Sequence, residues 1–188
     1  MTTKIDWLDE FSRFFAWCQP RLPEVLDAGG AREVWLQGEA YRYFRKHRPA
    51  GPLCLYANCH DRNDLAFYAT DDAETPIALA EIKLFGLDYY PKNLTGYADL
   101  RPYVAPPRGR FVFEPTHAAR CHPKESSILK DYRKLLRATD GRRFMLLVLD
   151  TRAPASEFGT AIQNVDFGRR GVVVHDHAPV KVTCWEVR

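Results

Sequence analysis

Apolar residues open the chain at helical spacing and then switch to the alternation of strands. Leu8, Phe11, Phe14, Phe15 and Cys18 fall three and four positions apart, which predicts an amphipathic helix over 5–18, stopped by Pro20. After a connection containing Pro and Gly, a second helical pattern covers 31–47, with Val34, Trp35, Gly38, Tyr41 and Phe44 or Arg45 sharing a face. Its end is basic (Arg42, Arg45, Lys46, His47, Arg48), as suits the negative end of a helix dipole, and Pro49-Ala50-Gly51-Pro52 terminates it. The period then changes. LCLYAN at 53–58 and DLAFYA at 64–69 are strand-like runs joined by polar CHDRN, and the turn-rich DDAETP precedes a third run, IALAEIKLF, at 77–85. Three strands with short connections predict an antiparallel meander.

Residues 86–124 break the pattern: they are rich in Tyr and Pro and predict mostly loop, with FVF at 111–113 a further short strand candidate. A loop of that length within one domain usually serves function. Helical spacing returns over 125–138 through Ile128, Leu129, Tyr132, Leu135 and Leu136. The uninterrupted FMLLVL at 144–149 is the signature of a strand buried on both faces, and 172–174 and 180–187 read as late strands. The succession predicts an α/β fold with a mixed central sheet flanked by helices, because a strand–helix–strand crossover makes parallel neighbours.

Composition narrows the class. The 188 residues suit a single domain, 1–188, and 46% hydrophobic with 13% aromatic residues is enough for a core. A formal net charge of +3 excludes a strongly polybasic protein but not a local basic face. No apolar run reaches the length of a membrane span, and MTTKIDWLDEF lacks the basic-then-apolar order of an export signal, so no membrane association and a cytoplasmic location are expected. The five cysteines, odd in number and irregularly spaced, accord with reduced thiols.

The chemistry concentrates in the third strand. Side chains alternate along a strand, so Glu81 and Lys83 share a face with Ile82 opposite. The pair reads either as a surface salt bridge or as a site. Ala78-Leu79-Ala80 and Leu84-Phe85 on either side suggest a central strand, where charged groups must be paired or functional. Asp64, at the start of the preceding strand, is a second acid, and antiparallel neighbours about 4.8 Å apart bring such positions together. Two adjacent carboxylates repel unless a proton or cation lies between them, and Mg²⁺ or Mn²⁺ suits oxygen ligands of this kind. Lys83 then lies beside the ion, and Glu39 on the second helix is placed to add a carboxylate from above the sheet.

Asp64 followed by Glu81-Ile82-Lys83, on successive strands between a helix carrying Glu39 and the helix at 125–138, resembles the PD-(D/E)xK nuclease superfamily. The resemblance implies a restriction-endonuclease-like core, α-β-β-β-α-β, over 31–149 with an insertion at 86–124 after the third strand. It implies a divalent-metal-dependent nuclease hydrolysing phosphodiester bonds in DNA, with Asp64, Glu81 and Glu39 as metal ligands and Lys83 as the catalytic lysine. Lys130 on the later helix matches the basic or amide residue that often contributes there. The sequence departs from the pattern at Asn63, where the motif's proline would stand, and in the length of the insertion. The superfamily also includes inactive members, so a protein-interaction or toxin-neutralising module on the same scaffold is the alternative. Arg62, Arg42 and Lys134, with His122 in the long loop, are the expected substrate contacts, forming a phosphate-tracking patch if they converge. The Cys59-His60 and Cys121-His122 pairs lack zinc-site spacing, and Ser126-Ser127 lacks a nucleophile setting.

Overall fold

The computed structural model describes residues 5–27, 32–48, 51–59, 63–85, 127–152 and 171–188. Helices α1 (Trp7–Cys18), α2 (Leu22–Asp27) and α3 (Arg32–Arg42) come first, and one π-helical turn, Tyr43–His47, extends α3. Strands β1 (Leu53–Cys59), β2 (Asn63–Tyr68) and β3 (Ala78–Phe85) follow, then helix α4 (Ser127–Arg137) and strands β4 (Arg142–Asp150), β5 (Val172–His177) and β6 (Val180–Val187). The six strands form one mixed sheet in the order β1-β2-β3-β4-β6-β5. The first three are an antiparallel meander, β3 and β4 run parallel, and β6 lies antiparallel between β4 and β5. The predicted mixed α/β class and the central position of β3 are thus observed. The expected loop at 86–124, with its strand candidate at 111–113, lies outside the described residues.

Local chemistry explains the elements. Asp6 caps α1, its carboxylate accepting the backbone N–H groups of Leu8 and Asp9 at 3.1 and 3.3 Å. Trp7, Phe11, Phe14, Phe15 and Cys18 line the buried side of this helix. Phe11 meets Phe67 of β2 and Phe144 of β4 edge-on, with ring centroids 6.0 and 5.3 Å apart. Alternation along β3 then sorts the sheet's faces. Ala78, Ala80, Ile82 and Leu84 join the core shared with α1, α2 and α3, while Glu81 and Lys83 turn to the opposite face, where both bond α4.

Three sequence expectations are corrected. The connection after α1 contains a helix, α2, in which Pro23 sits in the first turn, where a missing N–H costs nothing. The helix expected to run to 47 stays α-helical only to Arg42 and loosens into the π turn. Its buried side is Leu36, Ala40 and Phe44, whereas Val34, expected on one face with Phe44, is 61% exposed. Both sets recur at helical spacing; contact with the sheet decides between them.

Candidate functional site

The site begins where two strands part. Among the described residues β2 and β3 pair only from Phe67–Ala78 to Leu65–Ala80, whereas β3 remains paired with β4 as far as Phe85–Leu149. The edge of β3 facing β2 would therefore leave backbone donors without a ladder. Carboxylates take them instead. Ile82 donates its N–H to Asp64 Oδ2 at 2.8 Å, and Leu84 donates to Glu33 Oε1 at 3.2 Å. In the reverse direction, Asp64 donates its own N–H to Glu81 Oε1 at 3.3 Å. Asp64 and Glu81 are locked together through this fork, and Gln37 Nε2 donates to Asp64 Oδ1 at 3.0 Å.

Two ammonium groups complete the network. Lys134 Nζ lies 2.5 Å from Glu81 Oε1 and 3.8 Å from Asp131 Oδ1. Lys83 Nζ lies 2.8 Å from Asp131 Oδ2 and 3.7 Å from Glu33 Oε2. Among the described residues, four carboxylates (Glu33, Asp64, Glu81, Asp131) thus face two ammoniums, Lys83 and Lys134, a formal charge of −2 for these six side chains when all are ionised.

Burial makes that imbalance consequential. Glu81, 1% exposed, has its proton affinity pushed up to about 9 by desolvation and then by Asp64, against the pull of Lys134. Burial also raises Glu33 above the ordinary carboxylate range, with Lys83 opposing it. Desolvation alone would lower the affinity of Lys83 for its proton; Glu33 and Asp131 more than offset it, so that ammonium is held charged.

The donor set fits a small hard divalent ion. Asp64 and Glu81 both offer carboxylate oxygens, linked by the Asp64 N–H to Glu81 hydrogen bond and near enough for Asp64 to raise the proton affinity of Glu81. Mg²⁺ characteristically takes one or two carboxylates and fills its shell with water and phosphate oxygen. Among the described residues no group of three His, Cys, Asp or Glu side chains is arranged to hold a metal. The geometry supplies the reason: Glu33 and Asp131 are turned toward Lys83, which leaves Asp64 and Glu81 as a pair.

Of the residues singled out in the sequence, Asp64, Glu81, Lys83 and Lys134 come together. Glu39 does not. It is paired with Arg21 at 2.8 Å and with Arg42 at 2.9 Å, about 200° round the helix from Gln37. The carboxylate of α3 that reaches the cluster is Glu33, so the assignment of Glu39 to the metal set is corrected. Arg42 is likewise committed to Glu39 and lies 5.7 Å over the Trp17 ring, not at the cluster. The Lys130 side chain lies outside the description, as do Arg62 and His122 entirely. Glu33, Gln37 and Asp131 were not singled out. The available signals were the one-turn spacing of Glu33 and Gln37 on α3, and of Asp131 and Lys134 on α4.

No family model, curated protein or solved structure matches the chain. Among the described residues no helix is long and apolar enough to cross a membrane.

Proposed function

We propose that the chain is a divalent-metal-dependent nuclease with a restriction-endonuclease-like core, cutting phosphodiester bonds in DNA. The observation that carries this reading is the fork at which Asp64 and Glu81 interlock, with Lys83 on the same face two residues on. The order α3, β1, β2, β3, α4, β4, with β3 parallel to β4, supports the PD-(D/E)xK resemblance. Asp64 and Glu81 would hold Mg²⁺ or Mn²⁺, which when bound supplies Lewis-acid polarisation of a phosphate oxygen and a more acidic water.

The chain's own groups account for the rest. Gln37 and the Ile82 N–H fix both oxygens of Asp64, so its orientation is set before substrate arrives. Lys83, held charged and 15% exposed at its side chain, presents an ammonium to the negative charge that builds on the attacked phosphate. Asp131 and Glu33 aim that ammonium and balance it while the site is empty of phosphate.

Incubation of Glu81→Ala and Lys83→Ala proteins with plasmid and linear DNA plus Mg²⁺ or Mn²⁺ tests the reading. Each substitution is expected to lower cleavage by about 10²-fold or more. Cleavage that survives both refutes the assignment. A folded wild-type protein that binds no divalent ion would favour the non-catalytic interaction module on the same scaffold.

A further inference from the structure

Lys134 reaches from α4 across the face of β3 to the same Glu81 oxygen, Oε1, that accepts the Asp64 N–H. The carboxylate is 1% exposed, so little water lies between the ammonium and its partner. An ion such as Mg²⁺ sits about 2.0–2.1 Å from a ligating carboxylate oxygen. A dication at that distance and an ammonium at 2.5 Å from the same carboxylate would stand close together as like charges in a poorly screened place. The lysine has an alternative partner within reach: Asp131, one turn earlier on α4, with Oδ1 3.8 Å from Nζ. Lys83 is differently placed, its ammonium being held by Asp131 and Glu33 and not by Glu81.

We propose that Lys134 is the built-in counter-cation of the metal-free site: it holds Glu81 until a divalent ion takes that carboxylate, then passes to Asp131. The inference rests on the reading of Asp64 and Glu81 as metal ligands and adds a competitor to it. Coupling of this kind is reciprocal. A charge that resists the ion must be resisted by it, so removing the ammonium should tighten metal binding while loosening the metal-free protein.

The test is calorimetric titration of the full chain with Mn²⁺ at pH 7, comparing wild type, Lys134→Met, Lys134→Arg and Glu81→Ala, with thermal melts with and without the metal. Lys134→Met is expected to bind Mn²⁺ at least tenfold more tightly than wild type, and Lys134→Arg, which keeps the charge, to stay near it. Glu81→Ala is expected to lose binding. Metal-free Lys134→Met should melt below wild type, with the difference closing at saturating Mn²⁺. Equal or weaker binding by Lys134→Met, or tightening by Lys134→Arg as well, overturns the role of Lys134 and leaves the two ligands standing. Absence of Mn²⁺ binding in wild type and Lys134→Met alike overturns the metal reading beneath it. Lys134→Gln gives the same comparison if the Met variant does not fold.

Discussion

Asp131 is the residue on which the two halves of the cluster meet. Its Oδ2 holds Lys83 at 2.8 Å, and its Oδ1 lies 3.8 Å from Lys134. Its direct ion pairs are with the two lysines, which it orients. Asp131→Asn keeps the shape and removes the charge that helps hold Lys83 protonated. In the proposed nuclease, DNA cleavage should fall by about 10–100-fold through kcat, the scale of one misaimed electrostatic group. The alkaline limb of the rate–pH profile should move to lower pH, because Lys83 then loses its proton more readily. A purely structural role would lower the amount of folded enzyme and leave that limb in place. Glu33→Gln should shift it the same way by less, since Glu33 stands 3.7 Å from the ammonium.

At the scale of elements, the site depends on how β4 is set beside β3, and Gly141 governs that approach. Its φ of +66° is in the left-handed region, and a Cβ there would lie 2.7 Å from both the Ile77 carbonyl carbon and the Pro76 oxygen. The next residue, Arg142, donates its N–H to the Ile77 oxygen at 3.0 Å and starts the parallel pairing that runs to Phe85–Leu149. Gly141→Ala should therefore cost about 2–4 kcal/mol in a denaturant titration, the left-handed penalty together with displacement of backbone that cannot easily yield. Phe11→Ala, on the opposite face, should cost about 3–5 kcal/mol by opening a cavity beneath Phe67 and Phe144. The sequence carried much of this level. The apolar spacing of α1, the alternation around Glu81 and the unbroken FMLLVL run each found its element. The rotation of α3 was only partly legible: of the expected face Phe44 is buried and Trp35 packs against the core, but Val34 is exposed and Leu36 and Ala40, at equally helical spacing, are buried instead. Glu39 is the mid-helix carboxylate that the family resemblance implies, whereas Glu33 and Gln37 flank the buried stripe and reach the cluster, and Glu39 faces Arg21. Asp131 was hidden for another reason: its partner Lys83 lies on a strand far away in sequence, and only the packed sheet brings them together.

For the whole molecule, the cost of gathering buried carboxylates should appear in stability against pH. Desolvation and then Asp64 raise the proton affinity of Glu81 in the folded protein, against the pull of Lys134, whereas the unfolded chain releases that proton near the ordinary value of 4.5. Between the ordinary value and the raised one the native state binds more protons than the unfolded state, so metal-free stability falls as pH rises, by at most about 1.4 kcal/mol per pH unit for one proton. Glu33, also raised, contributes with the same sign. His175 acts oppositely. Burial and then His177 lower its proton affinity, so the stability it lends is present above its ordinary 6.5 and is lost as pH falls through its lower folded value. The buried thiols of Cys18 and Cys184, raised above the ordinary 9, also destabilise with rising pH, but only once unfolded thiols ionise. These opposing ranges leave pH 7 to about 8.5 as the interval in which the carboxylates dominate. Thermal melts of metal-free wild type should decline across it, and Glu81→Gln, neutral in both states, should be markedly flatter. Saturating Mn²⁺ should raise the wild-type melting temperature more at the alkaline end, where Glu81 needs a counter-cation most. An unchanged slope in Glu81→Gln would place the pH dependence elsewhere in the molecule and remove the buried carboxylate as its source.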